Sequence, residues 1–275
     1  MGLRPARRAH VSVAPPPPRV AVPAAAPKPL AKRRINDILL GRFERWALPK
    51  MAQALPAWIG PDTLTAIALL GAFVSAVAYA LAGTNLAWLH VASLGLVVHW
   101  WGDSLDGTLA RVRQIRRERY GLFVDHQCDA ISAAALVFGL GIGDLMRLDL
   151  ALAIGMGVLL LMNLVHMVTI ARDVFKISFG GFGPTELRLA AIAVNTAVWA
   201  LGPMTVSLWG LDWTPFDLIA LVGAPVIFGF YLVASVRETM LISRLDPRPA
   251  PGQDGHAYDP TGQNHGTDTA GGDGR

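Results

Sequence analysis

Residues 102–130 read GDSLDGTLARVRQIRRERYGLFVDHQCDA and set four aspartates around five arginines in the middle of an apolar chain. Asp103 and Asp106 are spaced i, i+3; Asp125 and Asp129 are spaced i, i+4. On a helix, either spacing puts both side chains on one face. The flanking apolar runs are long enough to cross a bilayer, where an aspartate costs about 2.5–3.5 kcal/mol even on mild insertion scales. The short connection predicts two antiparallel neighbouring helices, with both carboxylate pairs at one depth. Four facing carboxylates need positive compensation. Hard divalent cations with oxygen ligands supply it, and two ions about 4 Å apart can share bridging carboxylates. An arginine partner readily explains one intramembrane aspartate, but not four convergent ones. The rival reading is a carboxylate-lined ion or proton-coupled transporter, because acidic groups in a bundle also mark ion pathways.

The neighbouring residues favour a phosphate-bearing ligand. Gly107 and Gly121 remove side chains beside the acidic cluster. Arg111 lies one helical turn beyond Gly107, within reach of an anion held by the cations. Two divalent ions, a clearing and an arginine suit a diphosphate.

Outward from this stretch, the composition is that of a membrane protein. The 275 residues are 53% hydrophobic and only 16% charged, against about 25% charged in an ordinary soluble domain. Mean hydropathy is +0.42. Six apolar stretches, at 62–82, 85–106, 120–143, 149–171, 185–208 and 215–243, approach the length of about 20 residues that a helical span requires. Arg111, Arg113, Arg116, Arg117 and Arg119 lie between the second and third; Arg172, Lys176 and Arg188 flank the link from the fourth to the fifth. The alternate connections are poor in such charges, so the positive-inside rule puts the arginine-rich loop and both termini in the cytoplasm. Trp209 and Trp213 suit the opposite interface.

Before the first span, Ile35, Ile38, Leu39, Phe43 and Trp46 recur at helical spacing, with Arg34, Asp37, Arg42, Glu44 and Arg45 on other faces. That pattern describes an amphipathic helix in the membrane interface, or one packed on the protein's own cytoplasmic surface. Asp62, beside Pro61, is the expected N-cap of the first span. Residues 1–34 form a basic Pro/Ala-rich tail and residues 246–275 a polar one; neither can build a core. Eleven of the 24 Lys and Arg residues precede residue 51, which favours anionic lipid headgroups or simply aids topology. The start has no uninterrupted apolar core, so no cleaved signal is expected. Cys128 is the sole cysteine and forms no intrachain disulfide. His256 and His265 are too isolated to suggest a metal site, and no nucleic-acid partner is expected. His90, His99 and His166 are expected as buried, hydrogen-bonded histidines. The small-residue spacing in GMGVLL, 155–160, is compatible with a homodimer face.

The acidic stretch resembles the signature of the CDP-alcohol phosphotransferase family, D-x2-D-G-x2-A-R-x(8 or 9)-G-x3-D-x3-D, with a gap of nine before Gly121. Asp103, Asp106, Gly107, Ala110, Arg111, Gly121, Asp125 and Asp129 fill its fixed positions. The resemblance implies six spans behind an interfacial helix over roughly residues 35–245. It further implies that Asp103, Asp106, Asp125 and Asp129 bind two divalent cations, Mg2+ or Mn2+, and that Gly107, Ala110, Arg111 and Gly121 accept the CDP moiety of a CDP-linked donor. A lipid or small-alcohol hydroxyl then attacks the phosphorus distal to cytidine, and CMP leaves. Asp129 resembles the family's general base.

Three further segments are similar to the ethanolamine/choline phosphotransferase branch: VDHQCD (124–129), WIGPDTLT (58–65) and FGPTELR (182–188). His126, next to Asp125, is then a second candidate base or a hydrogen-bonding support for a metal-binding carboxylate. Glu186 either lines the acceptor site or complements its helix dipole. Asp62 stands where that branch has Asn, and the chain is shorter than the eukaryotic members. A CDP-amino-alcohol and CDP-diacylglycerol both remain open as donors. The expectation is an all-α integral membrane protein, sited in the bacterial inner membrane with its active site facing the cytoplasm.

Overall fold

A computed structural model describes residues 40–172, 183–208 and 210–247. The basic tail, nearly all of the polar tail, Ile35, Ile38, Leu39, Lys176, Phe182 and Trp209 therefore lie outside the described residues. Among the described residues seven helices follow one another: α1 (Gly41–Ala54), α2 (Pro61–Leu81), α3 (Trp88–Val112), α4 (Glu118–Ile142), α5 (Leu148–Arg172), α6 (Pro184–Leu201) and α7 (Pro215–Leu245). A two-stranded hairpin, β1 (Val206–Leu208) and β2 (Leu211–Trp213), joins α6 to α7. The helices α2, α5 and α7 are long and apolar enough to cross a membrane. Large apolar side chains such as Leu70, Ile142, Ile170 and Val222 face outward, as suits a chain whose solvent is lipid.

Helix starts follow local chemistry. Proline opens α2, α6 and α7, where its missing N–H would be unpaired in any case. Thr214 caps α7: its hydroxyl accepts from Asp217 N at 3.1 Å, and the Asp217 carboxylate accepts from Thr214 N at 3.0 Å. The cap of α2 differs from expectation. Gly60 holds the N-cap position, and Asp62 sits in the first turn, where its carboxylate accepts from Arg117 at 2.8 Å.

The fifth predicted segment, 185–208, ends early. Gly202 has φ +82°, in the left-handed region that glycine tolerates, and Pro203 cannot continue a helix. The chain then turns through Gly210, φ +76°, to make the hairpin.

Packing corrects a second expectation. The acidic helices α3 and α4 both pack on α2 rather than closely on each other. The face of α2 toward α3 is small: a Cβ on Gly71 would fall 2.7 Å from His99 N, and one on Gly102 would fall 2.8 Å from Ala68 N. The α2 and α3 backbones thus touch. On the other side a Cβ at Gly139 of α4 would collide with the Ala76 backbone. A sharp turn at Gln114, φ 59°, lets the link of residues 113–117 carry α4 to that side.

The arginines of that link also bind within the fold. Arg113 donates to the carbonyls of Ile59, Leu55 and Pro56 at 2.5, 3.0 and 2.8 Å, fastening the α1–α2 loop over the end of α3. Helix α1 packs through Leu48 and Ala52 on Leu105 and Leu109 of α3, while Phe43 and Trp46 stay exposed. The reading of this helix as packed on the protein's own surface holds for its Leu48 and Ala52 face. The glycines of GMGVLL serve internal packing instead of a free face: Gly155 abuts Val137 of α4, and Gly157 abuts Ile227 of α7.

Candidate active site

The site lies at one end of the bundle, where α2, α4 and α6 begin and α3 ends. Asp103 and Asp106 project from the last turns of α3, and Asp125 and Asp129 from the first turns of α4. Although the α3 and α4 backbones do not pack closely on each other, the four carboxylates share one electrostatic field. Asp103, Asp125 and Asp106 all act on Asp129, and Asp125 and Asp103 act on Asp106. Ligand atoms of Asp125, His126 and Asp129 lie within 4.8 Å of one another, so this trio could hold a metal ion.

Each acidic residue of α3 is held from another helix. Thr65 of α2 donates to Asp106 Oδ2 at 2.6 Å, and the Gly107 N–H makes a short contact to Asp106 Oδ1. Arg188 of α6 donates to Asp103 Oδ2 at 2.8 Å. Its terminal nitrogen also lies 3.0 Å from His99 Nε2, and His99 Nδ1 lies 3.1 Å from the Ala68 carbonyl. On α4 the support comes from the adjacent His126 and from α5. His126 Nδ1 is 3.6 Å from Asp125 Oδ2, and its ring stacks on His166 of α5 at 4.0 Å between centroids.

Space is present where the glycine pattern predicts it. A Cβ at Gly107 or at Gly121 would meet nothing within 4 Å, in contrast to the blocked glycines of the α2 contacts. Arg111 is exposed nearby, with one N–H to the Thr108 hydroxyl at 2.9 Å, and Ala110 is buried. A cavity of about 480 Å³ opens beside His126 and His166, bordered by Arg119 and Phe123. The donor chemistry fits hard divalent cations: four carboxylates in one field, with clear space on the glycine side.

Two residues at this site escaped the sequence reading. Arg188 was legible only as a topogenic charge and as the last residue of FGPTELR, and Thr65 only as the last residue of WIGPDTLT. Conversely, Glu186 makes structural contacts. Its two carboxylate oxygens accept from Gly183 N at 3.0 Å and from Leu40 N at 3.1 Å, tying α6 to the start of α1.

The fold and site are those of a polytopic membrane protein with an acidic, cation-suited centre at one end. The sequence pattern of the CDP-alcohol phosphatidyltransferase family matches residues 58–238, and the chain belongs to that family. No individual curated protein matches it. Family membership implies transfer of phospho-alcohol groups from CDP-alcohol donors in lipid synthesis, with general dependence on divalent metal.

Proposed function

We propose that this chain transfers a phospho-alcohol or phosphatidyl group from a CDP-linked donor to an alcohol acceptor, releasing CMP at the cytoplasmic face of the membrane. The observation that carries the reading is the shared field of Asp103, Asp106, Asp125 and Asp129 beside the open space at Gly107 and Gly121. The four aspartates would hold two divalent cations, Mg2+ or Mn2+. When bound, the cations neutralise the diphosphate and the charge that develops on the transferring group. Gly107 and Gly121 leave room for the CDP moiety, and Arg111 offers its guanidinium to the phosphates. Ala110, being buried, would act by keeping the α3 end slim.

Asp129 takes the proton of the acceptor hydroxyl. The acceptor oxygen forms a bond to the distal phosphorus as the bond from that phosphorus to the CMP oxygen breaks. His126 steadies Asp125 from its flank and is the second candidate for the base. The exposed apolar surface and the arginines at the site end favour six spans with that end in the cytoplasm. WIGPDTLT and VDHQCD lend support to a CDP-amino-alcohol donor, since Thr65 and His126 both belong to the site. Family membership weighs against the transporter reading.

Purified protein in lipid, supplied with Mn2+, should release CMP from one of two panels. One is CDP-ethanolamine or CDP-choline with diacylglycerol; the other is CDP-diacylglycerol with glycerol phosphate, serine or inositol phosphate. Absence of CMP in both panels, with no binding of either CDP ligand, would overturn the proposal.

A further inference from the structure

The relay that runs from α2 to Asp103 has a definite chemistry. Ala68 O is a carbonyl and only accepts, so His99 Nδ1 must carry its proton. In the neutral ring Nε2 is then an acceptor, and the Arg188 NH2 group 3.0 Å away donates to it. That same nitrogen has two N–H bonds. The second goes to Asp103 Oδ2 at 2.8 Å. Both hydrogens of NH2 are thereby committed in fixed directions by two residues one helical turn apart on α3, His99 and Asp103. His99 is only 5% exposed, so water cannot replace it cheaply as a partner.

We propose that Arg188 and His99 are positioning residues which fix the Asp103 carboxylate, engaging Oδ2 and presenting Oδ1 to a divalent cation. Neither residue touches the reacting atoms. His99 acts through Arg188, and Arg188 acts through Asp103. The guanidinium also offsets one of four negative charges, which lets the acidic cluster exist before any cation arrives. The relay crosses α2, α3 and α6, so it registers three helices against one metal-binding carboxylate. This inference rests on the reading of Asp103 as a metal ligand.

The test is binding of Mn2+ alone to the full-length protein in lipid nanodiscs, followed as loss of the free-ion electron paramagnetic resonance signal. Groups that orient a metal ligand typically contribute 10–100-fold in metal affinity, so Arg188→Gln should weaken Mn2+ binding by about tenfold or more. His99→Met should do the same, because methionine fills the space and offers the guanidinium no comparable acceptor. The double variant should be no weaker than the weaker single variant, since both act on one carboxylate. Arg188→Lys, which keeps the charge but loses the planar fork, should fall between wild type and Arg188→Gln, and it covers the case in which Arg188→Gln does not fold. Unchanged or tighter Mn2+ binding in Arg188→Gln, full recovery by Arg188→Lys, or additive effects in the double variant would overturn the inference. Asp125→Asn and Asp129→Asn separate the two levels. If they leave Mn2+ binding intact, the metal reading itself is wrong; if they abolish it while Arg188→Gln and His99→Met do not weaken it, only the relay is wrong.

Discussion

The two walls of the site are built differently. Helix α3 lies backbone to backbone on α2 through Gly71 and Gly102, and its aspartates are gripped by Thr65 and Arg188. Helix α4 packs on α2 at Gly139 and on α5 through Val137 and His126, and of its residues only Ser132 and Gly139 are fully buried. Its aspartates neighbour each other and His126, with Cys128 in the same acidic field. The α3 aspartates are therefore held by hydrogen bonds from other helices, while the α4 aspartates have His126 beside them and the Arg188 charge at longer range. In the proposed reading a bound cation would add attraction between the two walls, beyond that of the Arg188 guanidinium, because like charges on both walls repel.

The comparison can be broken first at the α4 wall. Asp129→Asn removes the proposed base and should lower the rate of CMP release by about 10²- to 10⁴-fold, with the fold intact by circular dichroism. Loss below tenfold would shift the role of base to His126, to be checked with His126→Gln. Next come the glycines, which separate packing from space. Gly139→Leu forces a side chain into the Ala76 backbone and should cost about 1–3 kcal/mol or more of stability, seen as a lower melting midpoint in detergent. Gly121→Ala meets nothing and should gain about 0.5–1 kcal/mol from helix propensity. Binding of a CDP ligand should nonetheless weaken, and unchanged affinity would show that the clearing is not the nucleotide's place.

A smaller effect tests the α3 wall. Thr65→Val deletes the hydrogen bond to Asp106 without changing shape, and a support of this kind contributes about tenfold in metal affinity. Mn2+ titration reads it, and an unaltered curve would mean that Asp106 needs no such support. The smallest change is expected outside both walls. Asp62→Asn weakens the exposed pair with Arg117, and such pairs contribute about 1 kcal/mol or less. A melting shift of more than a few degrees would give that surface contact a larger part in seating α2.

Much of this architecture is legible along the chain. Apolar length marks α2, α4, α5 and α7 to within a few residues, and α3 except for its last six, because each helix must satisfy its backbone within itself. The spacing of Asp103, Asp106, Asp125 and Asp129 marks the centre, and Gly107 and Gly121 mark open space beside it. The hairpin after α6 was less visible. Its signal, Gly202 followed by Pro203, lies inside a run apolar enough to pass for more helix.

What a linear reading could determine, then, is what depends on neighbours in sequence: helices, their faces, and carboxylates one turn apart. Only the tertiary structure decided that α3 and α4 both pack on α2, since that choice rests on Gly71 meeting His99 and Gly139 meeting Ala76 across the bundle. It alone brought Arg188 to Asp103 and Thr65 to Asp106, across 85 and 41 positions of sequence. It also turned the glycines at 155 and 157 inward against Val137 and Ile227. Hydrogen bonds and close packing act over a few ångströms of space, and a helix's period says which residues share a face but not which face meets which helix.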